Sequence, residues 1–449
     1  MSPYLSENRP LRLGTLCILY AAQGIPDGFV RIALKTYLIG LGVTTDAVGN
    51  IVAMVSWPWA MKWVWGPFID RFGYAPMGRR RPWILVAQVL MAVTLLAMLQ
   101  IPNLAASLKF LAFMVLLVNI FASLQDVSVD ALAVDLLPEK ERGVANGLMY
   151  GSNYAGSFFG GKTLGQYIQQ YGFPTAIKLQ VTVLLAIAAC PFLFRERRGD
   201  EFLPGVGGDK SQSLSAAVPR PSSLWQVFGL LAKAFSLRST QLAGVLAILS
   251  LITVNGHLIF WPVHVQRQLG WTQSAWLTLE GGQAVWFGLA GSLVGGFLAS
   301  AIGAKRTVIL SLIAMSACWF LYAMTAHLWT NPNTITMLFL VETALGGFLQ
   351  VSMFAMFMGL CWPPVAATQF TAYMALLNVS NGLGAIFADK FETNFTMPGA
   401  HVALGCIQIV LVGIVLMINP NETRQKLGDG KVELSPGPQP EAYPTKIDG

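Results

Sequence analysis

The sequence predicts an all-α membrane protein, with twelve transmembrane helices arranged as two pseudo-symmetric six-helix bundles. Three observations carry this prediction. Hydrophobic residues make up 54% of the 449-residue chain and charged residues 11%, with a mean hydropathy of +0.57. A soluble domain carries roughly 25% charged residues, so this chain has less than half the usual solvating surface. The apolar residues form runs long enough to cross a hydrocarbon layer of about 30 Å, which takes about 20 residues of helix. Finally, residues 57–83 read as an apolar run ending in Gly66, Asp70 and Arg71, a short turn, the triplet Arg79, Arg80 and Arg81, and a new apolar run from Trp83. Two hydrophobic segments joined by a tight basic loop form a membrane hairpin with its loop in the cytoplasm. A weaker copy, GGFLASAIGAKR at 295–306, marks a second half.

The twelve segments are expected at 12–39, 46–69, 82–102, 108–137, 142–170, 174–194, 239–265, 274–301, 305–326, 333–361, 364–389 and 399–419. The first follows polar MSPYLSENRPLR and is too long for the apolar core of a signal peptide, so it is expected to stay in the mature protein. Between the sixth and seventh lies RERRGDEFLPGVGGDKSQSLSAAVPRPSS, whose Gly, Pro and Ser content is that of a linker. Residues 224–236 then read as a short amphipathic helix on the membrane surface. The expected division is a bundle at 1–194, a linker at 195–238, a bundle at 239–420 and a disordered tail at 421–449.

With the N-terminus inside, about 21 of the 29 Lys and Arg fall on the cytoplasmic side and about four on the other, which puts both termini in the cytoplasm. The net charge of +7 therefore reflects topology, and nucleic acid is not an expected partner because no basic stripe forms. Cys17, Cys190, Cys318, Cys361 and Cys406 lie in or beside apolar runs without CxxC spacing. They are expected to be packing residues, with no disulfide, metal site or cofactor.

The loop after the second segment matches G-x-x-x-D-R-x-G-R-[RK] through Gly66, Asp70, Arg71 and Gly73, with the Gly-Arg-Arg part delayed to 78–80. The second copy has Gly296, Gly303, Lys305 and Arg306, with Ser300 in place of the acid. In this the chain resembles the major facilitator superfamily. Gln23-Gly24-Ile25-Pro26, the passage from Trp57-Pro58 to Trp65-Gly66-Pro67, Gly78 to Arg81 with Trp83, and Ser123-Leu124-Gln125-Asp126-Val127-Ser128-Val129-Asp130 are similar to the branch of AmpG-type muropeptide permeases and acetyl-coenzyme A transporters. The resemblance implies a solute site near the midplane between two rocking halves. It also implies a gating role for Gly66, Asp70, Arg71, Arg79, Arg80 and Arg81.

Charges inside the segments mark candidate functional residues, because each costs at least about 2.5–3.5 kcal/mol at the bilayer centre. Asp27, Arg31 and Lys35 recur at i, i+4 and i+8 on one face of the first segment. They form either a substrate-attracting stripe or an internal pair with a snorkelling lysine. Asp126 and Asp130 are one turn apart, and Lys62 lies at matching depth, so Lys62 is expected to face one of them as a proton-coupling site or a static salt bridge. Gln125, Tyr150, Asn153, Tyr154, Asn255, Glu342 and Asn378 complete the expected substrate-binding set.

The expected protein is a monomeric proton-coupled symporter in the bacterial cytoplasmic membrane. It contacts lipid, protons and a sizeable anionic solute, muropeptide-like or coenzyme A ester-like. A siderophore or drug carrier of the same build is the alternative. A membrane-embedded acyltransferase or a non-transporting sensor is a remote one, since His257, His264, His327 and His401 have no adjacent nucleophile motif.

Overall fold

The computed structural model describes residues 4–43, 61–206 and 223–428, with positions 51, 54, 55, 57–59, 215 and 221 besides. Among the described residues nine helices are long and apolar enough to span a membrane. In chain order the helices are α1 (9–40), α2 (described at 62–71), α3 (Arg81–Gln100), α4 (Leu108–Leu136), α5 (139–171), α6 (Phe173–Leu193), the surface helix α7 (Leu224–Phe235), α8 (Arg238–Gln268), α9 (273–302), α10 (Ala304–Met324), α11 (Pro332–Leu360), α12 (Ala366–Asn394), α13 (Met397–Met417) and the short α14 (Glu422–Leu427). The only extended pairings among the described residues are two isolated bridges.

Local chemistry sets several boundaries. Asn8 caps α1 by accepting from the Leu11 amide, and Pro10 occupies its first turn. Pro26 removes a helical N–H inside α1, and the helix loosens into a π-turn at Phe29–Leu34. A second π-turn, Phe159–Thr163 in α5, lies against it. Between them α1 and α5 come close enough that a Cβ on Gly24 would sit 2.1 Å from the Asn153 carbonyl oxygen. Only glycine allows that approach.

The halves have separate cores away from the chain ends. One is built on Phe29, Leu34, Leu111, Val115, Ile177 and Leu184, the other on Phe260, Trp261, Trp319, Phe339 and Leu404. At the end carrying Arg9, the 196–206 segment and α14, a single apolar cluster joins the halves: Leu16, Leu19, Leu132 and Met149 pack with Leu246, Met353, Phe357 and Tyr373. The bundles are thus packed together at this basic end.

The start of the linker is folded onto the first bundle. Glu196 receives the amides of Arg79 (2.9 Å), Arg80 (2.7 Å) and Arg81 (2.6 Å), the entry to α3. A carboxylate at a helix N-terminus satisfies donors that the helix leaves open. Burial pushes the Glu196 carboxyl above the usual range, and the three amides oppose that rise. Arg81, expected in the gate, is instead a clamp inside the first half. Its guanidinium donates to the carbonyls of Pro191, Phe192 (2.7 Å), Glu201 (2.9 Å) and Phe202 (2.8 Å). Glu196→Ala leaves three buried donors open, at about 1–3 kcal/mol each. A clearly lowered melting temperature of the purified protein is expected, and an unchanged one would contradict this account. The tail is also ordered further than expected: α14 docks through Glu422, which accepts from the Ser239 amide at 2.7 Å, and Thr423, which donates to the Leu360 carbonyl at 3.0 Å.

Candidate functional site

A cavity of about 280 Å³ lies between the halves. Tyr20, Gln23, Asp27 and Arg31 of α1, Trp59 and Lys62, Asp126 and Asp130 of α4, and Tyr150 and Asn153 of α5 line one side. Phe354 of α11 and Phe370, Met374 and Asn378 of α12 line the other. Its open side lies toward Asp27 and Arg31, whose side chains are partly exposed. Its floor holds buried charge.

Lys62, in the tight turn that starts the described part of α2, reaches Asp126 with Nζ 2.8 Å from Oδ2. The Trp59 ring lies 5.7 Å from the ammonium. One turn along α4, Asp130 accepts from the Tyr20 hydroxyl. Asp27 and Arg31 pair along α1 at 2.6 Å. The cavity therefore holds two cations and three acids, and both cations are matched. Asp130 is the remaining acid: its hydrogen-bond partner is a neutral phenol, so it can take or release a proton without breaking an ion pair. Opposite, Gln350 donates to the Tyr150 hydroxyl at 3.0 Å and Asn378 donates to the Trp59 carbonyl at 3.4 Å, tying the halves across the cavity.

Several expected substrate residues lie elsewhere. Gln125 is buried and donates to the Leu19 carbonyl at 3.2 Å, between α4 and α1, because α4 is enclosed on all faces here. Lys35 and Tyr154 are exposed and do not line the cavity. Asn255 bonds back to the Leu251 carbonyl at 2.8 Å. Glu342 is buried inside the second bundle with His257, Tyr322 and His401. Conversely, Tyr20 and Gln23 were missed. Extending the Asp27–Arg31 stripe back by four and seven residues would have found both. The apolar lining, Phe354, Phe370 and Met374, carries no comparable signal.

The basic end is shut by two related contacts. Asp70 of α2 accepts from the Thr368 amide (2.8 Å) and hydroxyl (2.7 Å) at the start of α12. Ser300 of α9 accepts from the Val144 amide (2.9 Å) in the first turns of α5. Each half thus places a side-chain oxygen on an N-terminus of the other, with the charged version in the first half. Arg80 holds Asp70 at 2.9 Å and Asp135 at 2.8 Å, and Arg79 donates to the Pro363 (3.3 Å) and Pro364 (3.4 Å) carbonyls across the interface. Arg71 stands apart, over the Phe72 ring at 5.2 Å. Backbones touch here: a Cβ on Gly66 would lie 2.7 Å from Thr368 Cα, and one on Gly143 would lie 2.2 Å from the Gly296 oxygen. Gly66→Val is therefore expected to hold the basic ends apart. Spin labels on α2 and α12 at that end should report a longer distance than in wild type, and an unchanged distance would contradict the role given to this contact.

The anhydromuropeptide permease of Escherichia coli (strain K12) is 23% identical over 392 residues, covering 86% of this chain and 74% of that protein. A putative transporter AmpG 4 of Rickettsia conorii is 21% identical over 417 residues, covering 91% and 96%. Among solved structures, the E. coli fucose:proton symporter FucP superposes with a TM-score of 0.66 at 10% identity, covering 91% of this chain and 98% of that one. A bacterial homologue of the iron transporter ferroportin in an outward-facing state also gives 0.66, at 12% identity over 91% and 99%. These structures share the fold with this chain. The family model described as Major Facilitator Superfamily matches residues 16–418, and the chain belongs to that family of membrane transporters.

Proposed function

We propose that this chain is a proton-coupled symporter that imports a sizeable anionic solute of the muropeptide class across the bacterial cytoplasmic membrane, with its basic end and both termini inside. The observation that carries the reading is the floor of the cavity: the Lys62–Asp126 ion pair with Asp130 beside it, bonded to the Tyr20 hydroxyl, at the interface of the two halves. Proton binding at Asp130 changes the charge of the floor by one unit while the ion pair stays intact. Solute occupies the same cavity, so the two binding events share an electrostatic field.

Arg31, at the open edge, pairs with Asp27 through Nε, and the terminal nitrogens of its guanidinium would meet a solute carboxylate. The aromatic side chains of Trp59, Phe354 and Phe370 offer apolar faces beside it. A cavity of about 280 Å³ encloses a sugar-sized portion of a ligand, so a larger solute extends out past the open edge at Asp27 and Arg31. Import then requires the halves to rock, opening the basic end by releasing Asp70 from Thr368 and Ser300 from Val144. The name of the E. coli relative favours a muropeptide over a coenzyme A ester.

Uptake of labelled anhydromuropeptide by a deletion strain carrying this chain tests the solute class. Competition by unlabelled muropeptide, with none from acyl-coenzyme A or a ferric siderophore, is the expected result. Competition by the siderophore alone would replace the reading.

A further inference from the structure

The second bundle holds a polar cluster with no part in the cavity. Glu342 of α11 lies 2.9 Å from His257 Nδ1 of α8, His257 Nε2 lies 3.1 Å from His401 Nε2 of α13, and His401 Nδ1 lies 2.7 Å from the Met397 carbonyl. Tyr322 of α10 donates to the other Glu342 oxygen at 2.9 Å. All four residues are buried, at 1% exposure or less for Glu342, His257, His401 and Tyr322. Trp261, Trp319 and Trp329 surround the cluster. Among the described residues, Cys318 of α10 and His264 of α8 are further titratable groups nearby. Among the described residues, Glu342 has no Lys or Arg within ion-pair distance.

The contacts along this line of side chains fix how many protons it holds. The Met397 carbonyl can only accept, so His401 Nδ1 carries a hydrogen. The two facing Nε2 atoms need one proton between them. Glu342 and His257 Nδ1 need another, or two lone pairs face each other in a buried site. With the Tyr322 hydroxyl hydrogen, this total equals a neutral glutamic acid, two neutral imidazoles and a neutral phenol. The fully bonded cluster is therefore neutral and carries one acid proton. That proton can sit on Glu342, on His257 or on His401 by shifts within existing hydrogen bonds, and every contact stays filled. The donors face each other in a line, as in a relay, and do not converge as metal ligands would.

We infer that Glu342, His257 and His401 form a second proton-binding site, a single-proton relay inside the C-terminal bundle, separate from the cavity acids and running to the start of α13 at Met397. When the proton leaves, the site carries one uncompensated negative charge and loses one hydrogen bond.

The test uses the full chain in lipid nanodiscs with nitrogen-labelled histidine. Two readouts are followed on raising the pH: the His257 and His401 ring signals by NMR, and the carbonyl stretch of protonated carboxylic acid by infrared difference spectroscopy. The expected result is a reversible joint shift of both histidine signals in wild type, lost in Glu342→Gln. The glutamine amide reproduces the protonated donor to His257 and the acceptor for Tyr322 without a titrating proton. A carboxylic band that Asp130→Asn retains and the Asp130→Asn, Glu342→Gln double variant lacks places the proton on Glu342. Its absence alongside shifting histidines places it on the imidazoles. Histidine signals that stay fixed in wild type, or that still shift together in Glu342→Gln, overturn the proposal. Because wild type alone can give the first of these outcomes, the test does not depend on the variant folding. It is also independent of the solute, so its failure leaves the cavity reading standing.

Discussion

Asp130→Asn is expected to abolish uphill accumulation of solute while preserving solute exchange. Asparagine keeps an oxygen that can accept from Tyr20, so the packing of α1 on α4 survives the change. What disappears is the ability of the cavity floor to gain and lose a charge. Exchange of labelled for unlabelled solute needs only binding and the movement of loaded carrier. Net uphill transport needs the proton to bind on one side and leave on the other. Side-by-side measurement of accumulation and counterflow in the same vesicles separates the two steps. If Asp130→Asn still accumulates solute against a gradient, the proton role assigned to this residue is wrong.

Lys62→Ala carries the second large effect, on stability as well as on transport. Removing the ammonium leaves Asp126 buried without its partner, and breaking a buried pair from one side costs about 3–5 kcal/mol. Asp126→Ala strands the lysine in the same way, with Asp130 as a nearby acid. The double variant removes both charges, so its loss should be smaller than the sum of the two single losses. Unfolding of the purified variants measures this coupling. Additive losses would show that the 2.8 Å contact contributes no net interaction. A static salt bridge and a coupling site both predict the stability result. A folded double variant that still drives uptake with a proton gradient leaves the proton on Asp130, whereas one that fails to do so shows that the ion pair takes part in the coupling.

How much of this was legible in the sequence depended on whether a helix face could be identified. On α1 the stripe of Asp27 and Arg31 stands out because polar groups recur with helical spacing, and the structure places both at the cavity. Lys62 and Asp126 were matched by depth, since both lie a similar distance from the same membrane face. The faces of α4 were unreadable. Residues 122–133 are buried without interruption, so no polar–apolar periodicity distinguishes Gln125, against α1, from Asp126, one position on and facing the cavity. Glu342 was misplaced for the same reason: α11 is apolar on nearly every side, and depth without azimuth does not say which way an acid points. Glu196 gave no sequence signal. Its role depends on a linker folding back 115 residues or more in sequence to meet three consecutive amides, which only the tertiary structure reveals.

The contacts at the basic end show a different limit. Ser300 breaks the loop pattern of the second half when read as a missing acid. In the structure it still accepts from a backbone amide of the opposite half, as Asp70 does. The two closures are related in geometry but unequal in charge. Asp70 sits in a network with Arg79 and Arg80, while Ser300 makes a neutral hydrogen bond. A charge-assisted bond is roughly twice as strong as a neutral one, so the Asp70 side should be the last to part.

The most direct test of the carrier reading is accumulation of labelled anhydromuropeptide by proteoliposomes of the purified chain under an imposed inward proton gradient. The account predicts that internal solute rises above the external concentration and falls back when a protonophore dissipates the gradient. Entry no faster than into protein-free vesicles, or accumulation that ignores the protonophore, would contradict it.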